Sequence, residues 1–303
     1  MIRADQPDKG VPGEIAQESQ NLPRRSASLW RRLAHGLHLL SERLGPYGAL
    51  ILILTFGLIL VVALSVAVAQ VYDNITDADG VAGLDRPLLN FAISLRSPLL
   101  DMILTGYTEI AGPIGMPIIA IAAILILAIH RQSWTPVILI VAAGGGSLLM
   151  TIAGKDLFGR DRPPLADAVP PYEYSASFPS GHTLNAVAVV GVIAYLLILR
   201  QKTFRARTVT ISAAAIFAIT TGLNRVYLGH HWATDVLGAW MLGAAWLALV
   251  ITAHRLYLTV RVLRDGPDPS RPALHSVTAA HKTRPRREHV APPTKPASGE
   301  TDV

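Results

Sequence analysis

His231 and Asp235 stand four positions apart, a spacing that sets both side chains on one face of a helix. A carboxylate accepting the Nδ1 proton of an imidazole sets its tautomer and leaves Nε2 free as a nucleophile or base. A polar helix end at a membrane surface would show the same pair without any chemistry. Asn224 and Arg225 come shortly before it. A second group, Phe178-Pro179-Ser180-Gly181-His182, opens an apolar stretch. Free backbone N–H groups and the helix dipole at such a start favour an anion. Ser180 adds a donor, Gly181 admits close backbone approach, and His182 could protonate a leaving oxygen; ordinary capping by Ser180 is the alternative. A third group runs from Lys155 through Arg160 and Arg162 to Pro163 and Pro164. Lys155 and Arg162, joined by Arg225, would surround a tetrahedral oxyanion with point-charge and forked donors. Taken singly, each cation reads equally as a snorkelling or loop charge facing headgroups, and Arg160 is assigned to that class. Three cations, two histidines, one aspartate and an anion-binding turn together suit phosphoryl transfer, which depends on positioning and electrostatic stabilisation. No carboxylate cluster suits magnesium, so neither metal nor cofactor is expected.

The elements that must hold these residues are apolar. Of 303 residues, 51% are hydrophobic and 16% charged, and the mean hydropathy is +0.39; soluble domains carry about 25% charged residues. The chain has no cysteine, which excludes disulfides, thiolate nucleophiles, zinc–thiolate sites and iron–sulfur clusters. Six stretches lack Asp, Glu, Lys and Arg: about 49–71, 113–129, 134–154, 183–199, 208–224 and 236–253. Each approaches the ~17–25 residues that a helix needs to cross hydrocarbon. The fold expected is all-α, a polytopic membrane bundle of six transmembrane helices.

The net charge of +6 lies in the ends: residues 1–45 hold 7 Lys/Arg against 5 Asp/Glu, residues 255–303 hold 9 against 5, and the middle is balanced at 11 each. A basic end on an apolar body reads as cytoplasmic, and nucleic-acid binding is not expected. Placing the N-terminus inside assigns 21 Lys/Arg to inner segments and leaves 6 outside. The outer loop 72–112 has two arginines against six acids. This is the asymmetry of the positive-inside rule. Both termini are expected in the cytoplasm and all three polar groups on the opposite side. Leucines at 29, 33, 37, 40 and 44 among Arg31, Arg32 and Arg43 predict an extra amphipathic helix on the inner surface. A cleaved signal is not expected, since the first apolar run starts near residue 49. Leu99, Leu100, Ile103, Leu104, Tyr107 and Ile110 predict an outer interfacial helix over 98–111, too short and charged to cross. Gly144, Gly145 and Gly146 lie within a span, where small residues permit close packing. The domains expected are a cytoplasmic segment over 1–45, a six-span body over 46–256 and a disordered basic tail over 257–303.

Lys155-(six residues)-Arg162-Pro163, Pro179-Ser180-Gly181-His182 and Arg225-(five residues)-His231-(three residues)-Asp235 resemble the three-part signature of the type 2 phosphatidic acid phosphatase superfamily. Its members include membrane lipid phosphatases and, more distantly, soluble vanadium haloperoxidases. The resemblance covers about 49–256. It implies that His231 attacks phosphorus and forms a phosphohistidine, that Asp235 orients it, and that His182 protonates the leaving group and then activates water. Lys155, Arg162, Arg225, Ser180 and the Gly181 amide would hold the phosphate oxygens. Asn224 stands where the family's third motif often has serine, which points to altered phosphate or loop contacts. His230 lacks the family spacing to Arg225 and Asp235.

The reading is a metal-independent phosphatase of the bacterial inner membrane, facing outward, whose substrate keeps its tail in the bilayer. Undecaprenyl diphosphate is slightly favoured among lipid phosphates that include phosphatidic acid, phosphatidylglycerophosphate and a lipid A phosphate. A lipid phosphotransferase shares every motif. A lipid transporter needs no nucleophile, and a silent scaffold would lack one of the three catalytic residues. The sequence carries no signal for an oligomeric state.

Overall fold

The computed structural model describes residue 48, residues 51–77 and residues 79–265, without the side chains at 130, 131 and 262–265. The amphipathic helix expected over 24–44 and the tail beyond residue 265 lie outside the described residues. Every regular element among the described residues is helical. The chain divides into a compact unit through Arg261 and a second beginning at Val262.

Helix α1 spans Ile51–Asp77. A short 3₁₀ turn, Gly80–Leu84, leads into α2, Asp85–Ser94, and α3, Pro98–Ile110. Ser97 caps α3, accepting from Leu100 N at 3.4 Å, and Pro98 takes a first-turn position where no amide partner is needed. Helix α4 is Gly115–Arg131 and α5 is Thr135–Phe158, the latter ended by Gly159 at φ 55°. After a loop with a 3₁₀ turn at Leu165–Asp167 comes α6, Gly181–Ile198, with a π segment over Ala186–Val190. Helix α7, Phe204–Tyr227, starts at a Thr203 cap, and α8 runs over Ala233–Asp265, past the boundary expected at 256.

Five of these helices, α1 and α5 to α8, are long and apolar enough to cross a membrane. The remaining charge-free run forms α4, of 17 residues, which joins α3 in a pair bent by 45°. Counting that pair as one span gives six. The segment expected as an interfacial helix over 98–111 forms α3, Pro98–Ile110, which meets α4 at this bend.

Phe56 and Ile59 on α1 are more than 60% exposed, and Ile118, Ile129, Leu149 and Ile216 are likewise bare. Apolar surface on this scale fits lipid as the solvent. Lipid is as apolar as leucine, so the bundle depends on close packing and internal hydrogen bonds rather than on escape from water. Leu127, Leu139, Ile140, Ala143, Val192, Leu196 and Val250 tie α4, α5, α6 and α8 together. Of the three consecutive glycines, Gly146 alone meets a neighbour tightly: an added Cβ would overlap the Trp246 indole, whose Nε1 donates to Ala142 O at 3.1 Å. Beside Gly145 there is open space.

Candidate active site

The turn between α7 and α8 builds the centre of the site. Gly229 adopts φ 70°, and a side chain there would collide with the Asp167 carbonyl. Around it, the amides of His230 and His231 both donate to Arg225 O, at 3.1 and 3.3 Å. This winding brings Arg225, His231 and Asp235 together, each 1% exposed or less. His231 Nδ1 lies 3.5 Å from Asp235 Oδ2, an ion-pair distance at which Nδ1 makes no hydrogen bond. On the far side of the ring, Nε2 is 3.3 Å from Arg162 Nη1. A guanidinium only donates, so Nε2 must present its lone pair and Nδ1 carry the proton toward Asp235. Burial, reinforced by Arg162 and Arg225, holds the His231 pKa well below its ordinary value. The imidazole is therefore neutral, the form in which it can attack.

Asp235 is fixed from three sides. It accepts from Arg160 Nη1, from Ser177 Oγ and from Trp232 N, the last at 2.9 Å. Arg160, read from the sequence as a charge facing headgroups, is instead mostly buried. Its Nη2 donates to Asp85 Oδ2 at 2.7 Å and its Nη1 to Thr234 Oγ1 at 2.8 Å. Asp85 in turn accepts from Thr234 N at 2.9 Å and Thr234 Oγ1 at 2.7 Å, at the start of α8. One guanidinium thus bridges two buried carboxylates, which could not both stay charged there without it.

The three expected phosphate-binding cations gather beside Nε2. Arg162 comes from the α5–α6 loop, Lys155 from the last turn of α5, and Arg225 from the last turn of α7. Arg225 donates to Thr108 Oγ1 at 3.1 Å, while its buried Nε has no hydrogen-bond partner. All three are met by one loop segment. Lys155 donates to Ser175 Oγ at 2.6 Å, Arg162 to Ser175 O at 2.6 Å and to Glu173 Oε2 at 2.8 Å, and Arg225 to Glu173 Oε1. Burial alone would raise the Glu173 carboxyl, but Arg225 and Arg162 outweigh it and hold it well below the usual carboxylate range.

Ser180 is buried at the start of α6, yet its hydroxyl makes no capping bond and pairs with Thr183 Oγ1 at 2.9 Å. Gly181 sits where a Cβ would stand 3.0 Å from Thr151 Cγ2. An added Cβ at Gly112 would stand 3.1 Å from His182 Nε2, so glycine lets the α3–α4 corner come up to that ring. His230 is occupied elsewhere: its Nε2 bonds to Val169 O at 2.7 Å and its carbonyl accepts from Arg162. Burial, with Arg225, pushes its pKa down to about 4. Asn224 Nδ2 donates to Leu104 O at 2.8 Å, tying α7 to α3. It therefore makes a helix contact, not one to the cation cluster.

The PAP2 superfamily profile matches residues 134–257, from the start of α5 into α8. Phosphatidylglycerophosphatase B of Bacillus subtilis is 33% identical over 174 residues, 57% of this chain and 84% of that protein. The chain belongs to the PAP2 superfamily. Undecaprenyl-diphosphatase BcrC of the same organism is 32% identical over 154 residues, 48% of this chain and 71% of that protein. The crystal structure of a transmembrane PAP2 type phosphatidylglycerolphosphate phosphatase from Bacillus subtilis superposes with a TM-score of 0.60 at 29% identity, covering 64% of this chain and 96% of that one. Membership makes the chain a multi-pass membrane hydrolase of the lipid-phosphatase kind.

The PAP2 match excludes α1 to α4, and two residues that sequence reasoning passed over lie in α2 and α3. Asp85 is one of six acids in a loop that carries no headgroup pattern, and Thr108 is an unremarkable residue on an apolar stripe. Their bonds to Arg160, Thr234 and Arg225 span 75 to 149 positions, beyond the reach of any local pattern. Ser177 lies one residue before the second motif and Glu173 in the loop ahead of it. The signal available for both Glu173 and the Arg160 bridge was a local cation excess, with Lys155, Arg160 and Arg162 outnumbering the acids beside them, Asp156 and Asp161.

Proposed function

We propose that this PAP2 chain releases inorganic phosphate from a lipid phosphate or diphosphate through a phosphohistidine on His231. The observation that carries this reading is the orientation of that ring: Nδ1 toward a buried carboxylate, and an Nε2 lone pair toward the cluster of Lys155, Arg162 and Arg225. Arg162 moves its Nη1 from Nε2 to a phosphate oxygen, Lys155 and Arg225 hold the other oxygens, and Ser180 and the Gly181 amide complete the cradle. His231 Nε2 then attacks phosphorus. The bond to the leaving oxygen breaks, and that oxygen takes a proton from His182. His182, now neutral, takes a proton from water, whose oxygen attacks the phosphohistidine. The P–N bond breaks, His231 returns, and inorganic phosphate leaves. Asp235 holds the ring and balances the charge that develops on it.

The site faces the extracytoplasmic side, with both termini in the cytoplasm, because the inner segments so assigned hold 21 of the 27 Lys/Arg. Undecaprenyl diphosphate and phosphatidylglycerophosphate are the first substrates to test. An outward-facing headgroup site favours the former, and the likeness to phosphatidylglycerophosphatase B supports the latter. The experiment is phosphate release from a panel of lipid phosphates in detergent with EDTA present, comparing wild type with His231→Ala. Metal-independent release by wild type alone is expected. Folded wild-type protein that releases phosphate from no lipid, or does so equally from soluble sugar phosphates, overturns the lipid-phosphatase reading.

A further inference from the structure

The cradle proposed for phosphate already holds a carboxylate. Glu173 spans Arg225 and Arg162 with its two oxygens, and Ser175, two residues on, takes the Lys155 ammonium and more of Arg162. Arg225 is 1% exposed and Arg162 8%, whereas the Glu173 side chain is 29% exposed. The carboxylate therefore stands in the mouth of a cationic pocket and covers its floor. The neighbouring arginines also favour its ionised form.

We propose that Glu173 is a specificity-determining residue, a charge gate that admits terminal phosphates and turns away the phosphodiester headgroups of the surrounding bilayer. The inference rests on the phosphatase reading above. To occupy the cradle, a ligand must displace one negative charge carried on two oxygens. A phosphodiester offers the same: one charge, two free oxygens, and an ester substituent on either side. The exchange gains nothing and adds bulk. A terminal phosphate brings a second charge and a third free oxygen, and Arg225, whose buried Nε makes no hydrogen bond, has a donor to spare. Phosphodiester lipids lie at the same depth in great excess, and an open cradle of three cations would bind them unproductively. Tyr172 and Tyr174, 44% and 82% exposed on either side of Glu173, are residue types that settle at the lipid–water boundary.

A gate that is closed most of the time weakens a ligand by the fraction open, so removing its charge should tighten a monoanion about tenfold. The test uses the full chain, wild type, Glu173→Gln and Glu173→Asp, each checked by thermal melting. Calorimetry with diethyl phosphate as a soluble phosphodiester and with inorganic phosphate at pH 8 reads binding without turnover. Inhibition of lipid-phosphate hydrolysis by phosphatidylglycerol in mixed micelles reads the gate at work. Expected are a wild type that favours inorganic phosphate over diethyl phosphate, a Gln variant that gains about tenfold for diethyl phosphate and for inhibition by phosphatidylglycerol, and an Asp variant that stays near wild type. Equal binding of the two anions by wild type overturns the gate. So does a Gln variant with a raised KM and unchanged phosphodiester inhibition, since Glu173 would then merely hold the arginines. Should folded wild type hydrolyse no lipid phosphate, the phosphatase reading falls, and calorimetry still decides whether Glu173 excludes monoanions.

Discussion

Arg160 offers the sharpest test of the geometry, because nothing in its sequence setting sets it apart from a surface charge. Replacing it with leucine removes the partner that Asp85 and Asp235 share and strands two carboxylates that are 7% and 0% exposed. Breaking a buried pair from one side costs about 3–5 kcal/mol. At about 2–4 °C per kcal/mol for a body of this size, melting in detergent should fall by about 10 °C. Activity should fall as well. Asp235 keeps Ser177 and the Trp232 amide but loses its Arg160 bond, and loss of a partner that orients a catalytic carboxylate costs about 10–100-fold. The double variant Arg160→Leu, Asp85→Leu separates the two effects. With Asp85 gone, its stranded charge is gone too, and stability should recover by about 0.5–3 kcal/mol relative to the sum of the single changes. Recovery stays partial, because Asp85 also accepts from Thr234 N at the start of α8. Turnover should not recover, since Asp235 still lacks its donor. The assays are melting curves and phosphate release on the same four proteins. An Arg160→Leu protein that melts and turns over like wild type would refute the bridge.

His231→Ala should abolish phosphate release while His230→Ala retains it, as only His231 stands against Asp235; equal losses from the two would remove the nucleophile assignment. His182→Ala should slow turnover by about 10²–10⁴-fold, and rapid-quench trapping should show slower phosphoenzyme formation. The pH dependence follows from two buried neutral histidines. With the pKa of His230 lowered to about 4 and that of His231 lowered further below its usual value, the unfolded chain takes up protons below about pH 6.5 that the folded chain refuses. Stability should then fall progressively from pH 6.5 toward 4, by a few kcal/mol at the lower end, and melting temperature against pH reads it. A melting temperature that is flat from pH 7 to 5 would show that neither histidine is held neutral.

The membrane body was legible because its signal is long and uniform: six charge-free runs leave helices little choice, and α5 to α8 form close to where hydropathy alone sets them. The break between α3 and α4 was harder to see, because a bent pair and an interfacial helix followed by a span carry the same composition. Within the site, Lys155, Arg162, Arg225, His182, His231 and Asp235 were legible from residue type and spacing. Asp85, Thr108 and Glu173 were not. Each meets its partner across at least 52 positions, and a carboxylate or hydroxyl in a polar loop looks the same whether it faces water or a buried guanidinium.

Arg160 and Arg162 show why that distinction matters for the chemistry. Two positions apart in one loop, they reach opposite sides of the same imidazole: Arg160 through Asp235 on the Nδ1 side, Arg162 directly at Nε2. Their tasks differ accordingly. The first neutralises a buried carboxylate permanently, so that Asp235 can remain a base toward Nδ1–H without a proton of its own. In the proposed reaction the second must let go, because the lone pair it meets is the one that would attack phosphorus. A residue that stays bonded to two acids in a dry setting is fixed by desolvation on both sides. A residue that shares its donors among Glu173, Ser175, a backbone carbonyl and Nε2 has several near-equal arrangements, and an arriving phosphate dianion selects among them. On the proposed mechanism, the loop thus divides its two cations into one that supports the nucleophile through Asp235 and one that would hand its donor to the phosphate.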